Sequence, residues 1–184
     1  MVKSFTYQAP YVKSATSVSQ ITDAEGVIVG SAQRYYPTVF HQVIDALIGD
    51  SRLIVRFRAF NASGTKVIEA VKKVHMIAKS DYYIKFLDGD LKGVKFHVRQ
   101  KNLNTINPEY LIKGNDIEGN EICLISKTSM FDWVRFYENE LETARWKCVM
   151  KEKFKTYLEI EETATLQDPL FYATLGQILY FVGD

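Results

Sequence analysis

Cysteine and histidine are scarce in this chain, and their spacing does not suit a metal site. The sequence contains two cysteines, Cys123 and Cys148, and three scattered histidines. Because no CxxC pair occurs, neither a disulfide framework nor a zinc site is expected. We predict that both cysteines are small core residues and that the protein binds no metal and no other cofactor.

Catalytic signatures are missing as well. The sequence has no GxSxG elbow, no phosphate-binding loop, no dinucleotide glycine motif and no HExxH. A histidine such as His41, His75 or His97 could meet a carboxylate in the folded chain, but nothing in the sequence brings such groups together. We therefore predict that the protein is not an enzyme.

The chain also has almost no net charge, since it contains 23 basic and 22 acidic residues. This balance argues against binding to nucleic acid through bulk electrostatics. Residues 1–7 lack the apolar run of a signal peptide, which favours a cytoplasmic location. With 47% hydrophobic residues in 184 positions, we expect one domain over 1–184.

Short apolar and polar alternations between turn residues fill most of the chain and predict β-strands. The predicted strands are 5–8, 12–21, 27–34, 52–60, 65–76, 82–87, 94–100, 110–114, 121–127, 131–137, 143–151 and 155–160. Segment 65–76 also fits a helical period, but its β-branched residues favour a strand. So many short strands are typical of a barrel or a sandwich.

One internal stretch changes to a helical period. Apolar residues recur at positions 39, 40, 43, 44, 47 and 48, and Gly49 follows them. This spacing predicts an amphipathic helix near residues 38–48. His41 and Asp45 lie one turn apart on its polar side, which we interpret as a solvated face.

The last stretch, residues 168–184, predicts a second helix that must be buried. Asp168 suits the capping position and Pro169 the first helical position. Nearly every residue over 170–182 is apolar, so the helix has no polar face for water. Its length of roughly 22 Å is less than the ~30 Å core of a bilayer, although a membrane anchor is the competing interpretation. We predict a mainly β (α+β) fold, in which a closed antiparallel β-barrel of about 12 strands surrounds this helix.

The order of elements resembles the tubby C-terminal-like superfamily, which includes tubby, LURP-one-related and phospholipid scramblase proteins. The segments that carry the resemblance are 26–31 (GVIVGS), 110–114 (YLIKG), 157–161 (YLEIE) and the helix start at 168–170. In that family a twelve-stranded barrel encloses the C-terminal helix. The helix near 38–48 looks like an insertion relative to the simplest members.

Basic residues recur on the outward faces of three predicted segments. The three sets are Arg52, Arg56 and Arg58; Lys95, His97, Arg99 and Lys101; and Lys147, Lys151, Lys153 and Lys155. If two of these faces adjoin in the sheet, they form a cationic surface able to hold phosphates. The alternative interpretation is a solvated sheet exterior on which lysines protect strand edges.

The resemblance implies a non-enzymatic, cytoplasmic binding module for anionic phospholipid or phosphoinositide head groups, peripheral at the membrane. The residues assigned to the head group are Lys95, Arg99, Lys151, Lys153 and Lys155. Two other functions stay open at this point. One is a scaffold that docks a protein partner on the helix over 39–48 or on the sheet exterior, and the other is a scramblase-like protein with its terminal helix in the bilayer.

Overall fold

Twelve antiparallel strands close into a barrel in the computed structural model, which describes residues 1–48, 54–73, 81–102, 107–128 and 133–181. The strands are β1 Val2–Gln8, β2 Val18–Asp23, β3 Ile28–Arg34, β4 Arg56–Asn61, β5 Lys66–Lys73, β6 Asp81–Phe86, β7 Lys95–Gln100, β8 Glu109–Asn115, β9 Glu121–Lys127, β10 Val134–Glu138, β11 Leu141–Val149 and β12 Lys155–Glu161. Each strand pairs with its neighbours in sequence, and β1 pairs with β12 to close the ring. The predicted twelve-stranded barrel is confirmed.

Two α-helices accompany the barrel in the described part of the chain, and both were predicted. Helix α1, Val39–Ile48, connects β3 to β4, and helix α2, Pro169–Gly176, follows β12 and continues as a π-helical turn, Gln177–Phe181. The Asp168 carboxylate caps α2, because its Oδ1 accepts hydrogen bonds from the backbone N–H groups of Leu170 at 2.7 Å and Phe171 at 3.0 Å. The predicted start of this helix is confirmed.

Helix α2 lies inside the barrel. Every residue from Leu170 to Gly176 is buried, and Phe171 packs its ring against those of Phe96 and Phe86 at centroid distances of 4.7 and 5.9 Å. A helix that is apolar on all sides needs apolar neighbours on all sides, and a closed sheet with inward-pointing side chains supplies them. The predicted burial of this helix is confirmed.

The alternating strand directions give the barrel two distinct ends. At the entry end, where α2 begins, lie the connections 24–27, 62–65, 87–94, 116–120, 139–140 and 162–168. At the opposite end, called here the α1 end, lie α1 and the described connecting residues 9–17, 35–48, 54–55, 101–102, 107–108, 128, 133 and 150–154. The chain therefore enters the barrel interior at one end and carries its external helix at the other.

Several predicted strands differ from the observed strands at their ends. The strand predicted at 5–8 begins at Val2, and β4 begins at Arg56 although a strand was predicted over 52–60. The strand predicted at 12–21 starts only at Val18, because residues 9–17 form a loop. The strand predicted at 143–151 ends at Val149, after which Met150–Glu152 form a 3-10 turn. Residues 52–53, 74–76 and 131–132 of the predicted strands lie outside the described residues.

The two cysteines differ from their prediction as core residues. Both are free and half-buried. Cys148 packs against the core, whereas Cys123 lies between the buried Ile122 and Leu124 on β9 and therefore belongs to the outward face of that strand.

Gly176 marks a very close approach between α2 and the barrel. A β-carbon added there would lie 2.4 Å from the indole of Trp146, whose Nε1 donates a hydrogen bond to the Tyr7 hydroxyl at 2.8 Å. Because Trp146 and Tyr7 are both buried, the indole has little freedom to move. We expect Gly176→Ala to lower the free energy of unfolding by about 1–3 kcal/mol, despite the better helix propensity of alanine. Urea unfolding measures this change.

Thr174→Val is the matched control in the same helix. The hydroxyl of Thr174 is buried and has no hydrogen-bond partner among the described residues, so its removal should leave the stability unchanged or raise it. Equal unfolding midpoints for the two variants would contradict the close packing inferred at Gly176.

Candidate functional site

Helix α1 turns a charged residue toward the barrel. The Asp45 side chain is fully buried, and its carboxylate accepts hydrogen bonds from Arg34 Nη2 at 2.6 Å, from the Tyr36 hydroxyl at 3.0 Å and from the Ile54 N–H at 2.7 Å. The interpretation of His41 and Asp45 as a solvated face is therefore wrong for Asp45. The reason is that Arg34, at the end of β3, is itself buried and needs an opposite charge.

The environment of this ion pair fixes α1 in one orientation. Arg34 also donates to the carbonyl oxygens of Ile54, at 2.8 Å, and Lys13, and its guanidinium lies 4.7 Å from the ring centroid of Tyr36. Burial lowers the pKa of Arg34, while the neighbouring Asp45 opposes this shift. Burial also raises the pKa of the Tyr36 hydroxyl, which therefore stays protonated as a donor.

The opposite side of α1 is apolar and faces outward. Val39, Phe40, Val43 and Leu47 are 76%, 70%, 48% and 80% exposed. A surface helix normally packs its apolar stripe on the core, so α1 has the reverse arrangement. A group of exposed large apolar side chains on one helix face is the kind of feature that marks a contact surface.

Neighbouring connections extend this surface across the α1 end. Gln42 Nε2 donates to the Ser14 carbonyl oxygen at 3.4 Å, which joins α1 to the loop 9–17. In turn, the ring of Tyr11 in that loop packs edge-on against Phe154 of the connection 150–154. We call the exposed apolar side chains on these three segments the apolar end surface. It comprises Tyr11, Val12, Val39, Phe40, Val43, Leu47 and Met150.

Charge is distributed unevenly between the two ends of the barrel. The connections at the entry end contain eight acidic residues and a single basic one, Lys92. The acidic residues are Glu25, Asp88, Asp90, Asp116, Glu118, Glu140, Glu162 and Asp168. The described connections at the α1 end carry the lysines 13, 101, 151 and 153, with Glu152 and the buried Asp45 as their acidic residues. By its described connections, the barrel is therefore acidic at one end and basic at the other.

Three of the five predicted site residues lie together at the basic end. Lys151 and Lys153 are exposed in the connection between β11 and β12, and Lys155 is the exposed first residue of β12. Their prediction as one alternating strand face is wrong, because the 3-10 turn and the left-handed backbone of Lys153 and Phe154 interrupt the strand. They are instead grouped by the hairpin.

Polar side chains adjoin this lysine group. Lys155 borders a shallow depression of about 470 Å³, whose lining includes Thr6, Gln8 and Gln20. The Lys155 ammonium lies 5.2 Å from the ring centroid of Tyr157. The Tyr157 hydroxyl donates to Glu152, and this hydrogen bond raises the pKa of Tyr157. The depression thus places hydroxyl and amide groups beside Lys155.

The other two predicted site residues lie elsewhere. Lys95 and Arg99 are on β7, which is separated from β12 by the four strands β8 to β11. Lys95 is at the acidic entry end, and Arg99 Nε lies 3.3 Å from a carboxylate oxygen of Asp81. The predicted basic faces on β4, β7 and β12 are not on adjacent strands, so the five residues do not form one contiguous site.

A family comparison agrees with this architecture. A model described as the Tubby C-terminal like domain matches residues 5–182. The chain belongs to this family. No curated protein and no solved structure matches the chain. The resemblance drawn from the sequence is confirmed, and the Tubby-like barrel with its enclosed helix is the fold observed.

Metal-ligand clusters and membrane-spanning helices are both lacking in the described part of this Tubby-like domain. Within the described ranges, no group of three or more histidine, cysteine, aspartate and glutamate side chains could hold a metal ion. The helices in the same part of the chain fall short of the length and hydropathy that crossing a bilayer requires. The lysine group and the apolar end surface of the Tubby-like domain are therefore the features that a function must explain.

Proposed function

We propose that this Tubby-like domain is a non-enzymatic module that binds anionic phospholipid head groups, phosphoinositides among them, at the cytoplasmic surface of a membrane. Tubby-like domains as a family are lipid-binding barrels. The observation that carries the proposal for this chain is the separation of charge between the barrel ends. A negatively charged membrane attracts the basic α1 end and repels the acidic entry end, so it both binds and orients the barrel.

Lys151, Lys153 and Lys155 are the residues that would hold the phosphates. Each exposed lysine near an anionic surface contributes about 1 kcal/mol of attraction. The depression beside Lys155 adds neutral donors, because the hydroxyl of Thr6 and the side-chain amides of Gln8 and Gln20 can donate to phosphate oxygens. This group therefore combines long-range attraction with short-range hydrogen bonding.

Lys95 and Arg99 stay a separate prediction. Asp81 offsets the charge of Arg99, and Lys95 shares the entry end with the acidic connections. The acidic residues of the entry end would thus repel the phosphate of a head group held at Lys95. We expect these two residues to contribute less to membrane binding than the lysine group, and a Lys95→Ala, Arg99→Ala variant measures their share.

Co-sedimentation with phosphatidylcholine vesicles, with and without phosphatidylserine or a phosphoinositide, tests the proposal. We expect binding only to the anionic vesicles, weakening as salt is added. Replacing Lys151, Lys153 and Lys155 by alanine should weaken that binding by about 3 kcal/mol, which is on the order of 100-fold.

The matched control removes three exposed lysines from the acidic half of the barrel. Lys66, Lys85 and Lys92 are exposed and give the same change in net charge when replaced by alanine. Binding should fall much less in this control than in the variant of the lysine group. Equal losses would mean that net charge alone drives binding, and no binding of the unmodified protein to any vesicle would contradict the proposed function.

A further inference from the structure

We propose that the apolar face of α1 inserts among the lipids of the anionic membrane, with the helix lying in the plane of the interface. The inserted side chains are Val39, Phe40, Val43 and Leu47. This inference rests on the proposed function and adds a hydrophobic contact to the electrostatic one. It also gives a role to the outward-facing apolar stripe, which the lysine group does not explain.

The ion pair at the base of α1 keeps this face outward. Any rotation of the helix that buried Phe40 or Leu47 would withdraw Asp45 from Arg34 and leave buried charges without their partners. The contact between Gln42 and Ser14 restrains the same rotation. The exposed stripe is thus a fixed property of the folded barrel, available to a partner without rearrangement.

The residue types match a helix that lies at a membrane interface. Such helices place bulky apolar side chains toward the acyl chains and basic groups at the level of the head groups. Here Phe40 and Leu47 provide the bulky apolar groups, and Lys151 and Lys153 provide the charges from a neighbouring turn. The contacts of the loop 9–17 with both segments place the two sets at the same end of the barrel.

Charge favours a lipid surface over a second copy of the chain. Two copies joined through their α1 ends would bring Lys151 and Lys153 of one molecule toward those of the other, which is electrostatically unfavourable. An anionic bilayer instead complements the lysines while its acyl chains accept the apolar stripe. The acidic entry end then points away from the membrane.

The first experiment compares two pairs of exposed apolar residues in the full chain. Phe40→Asn with Leu47→Asn removes the two largest apolar side chains of the stripe, and Ile117→Asn with Leu141→Asn is the control at the entry end, where these residues are 67% and 71% exposed. With vesicles that contain phosphatidylserine, we expect the α1 variant to bind at least ~10-fold more weakly than the unmodified protein. Its remaining binding should disappear at high salt, and the control pair should bind normally.

A second measurement reports the depth of the helix directly. The unmodified protein already contains Trp133 and Trp146, so the readout is the fluorescence that each new tryptophan adds to theirs. The fluorescence added by Phe40→Trp should be quenched by phospholipids that carry bromine on their acyl chains, whereas that added by Ile117→Trp should not. Circular dichroism establishes that all variants keep the fold. Quenching confined to position 40 supports insertion.

Three other outcomes would overturn the inference, and they differ in whether the proposed head-group binding is also wrong. If the unmodified protein and the α1 variant bind phosphatidylserine vesicles equally, insertion is wrong and the proposed head-group binding stands. If the unmodified protein binds no vesicle, both proposals are wrong. If sedimentation velocity shows self-association that the α1 variant abolishes, the stripe is the contact site of a second copy.

Discussion

Removal of residues 169–184 should prevent folding altogether. Five fully apolar side chains of this segment, Leu170, Phe171, Leu175, Ile178 and Leu179, are buried inside the barrel. At ~1.5–3 kcal/mol each, their burial contributes about 8–15 kcal/mol, which is comparable to the entire ~5–15 kcal/mol net stability of a domain. The truncated chain would also leave the inward side chains of twelve strands around an empty space.

Urea unfolding followed by near-ultraviolet circular dichroism tests this expectation. The truncated chain should give no cooperative transition and should bind a hydrophobic dye. Asp168→Ala is the matched control, because it removes only the cap of α2 and should cost about 1 kcal/mol while the transition stays cooperative. A cooperative transition in the truncated chain would show that the barrel is stable without its central helix.

Asp45→Ala should be the most damaging single substitution outside the core. It leaves the Arg34 guanidinium buried without its counter-charge and removes the acceptor of the Tyr36 hydroxyl and of the Ile54 N–H. Breaking a buried ion pair by removing one partner costs about 3–5 kcal/mol. We therefore expect a large decrease in the urea midpoint.

A double-mutant cycle separates the ion pair from the other contacts of Asp45. Asp90→Ala, at an exposed position in an entry-end turn, is the control and should change stability by no more than about 0.5 kcal/mol. Adding Arg34→Leu to Asp45→Ala should cost less than the sum of the two single changes, because the second change removes the stranded charge. Strict additivity would contradict direct coupling between the two side chains.

The barrel and its central helix could be predicted because local patterns determine them. Strands such as β9 alternate strictly between buried and outward residues, and α2 carries a capping aspartate, a proline and an unbroken apolar run. These signals need no knowledge of distant parts of the chain. The enclosure of the helix then follows from its lack of a polar face.

The candidate site was harder to predict, since it depends on which segments meet. The amphipathic pattern of α1 predicts two faces but does not predict which face contacts the barrel. The orientation depends on Arg34, which lies on a different element from its partner Asp45. The break between strands 143–151 and 155–160 was predicted, but the 3-10 turn over 150–152 and the positive φ angles of Lys153 and Phe154 were not, because this connection contains neither glycine nor proline. Similarly, the sequence around Lys95 and around Lys155 contains no local pattern that predicts that β7 and β12 are not adjacent in the barrel.

The way in which the barrel closes has a consequence for how the chain folds. Eleven of its twelve strand pairs join strands that are consecutive in the chain, but closure requires Val2 to meet Glu161, almost the full length of the chain away. Helix α2 comes later still in the sequence and must be enclosed in the same event. Long-range contacts of this kind cost a large loop-closure entropy before they contribute any stability. We therefore expect that the rate-limiting step brings β1, β12 and α2 together. Folding should therefore be slow, in the millisecond-to-second range typical of β-proteins with non-local contacts, and a nascent chain would complete this core only after α2 has been synthesised.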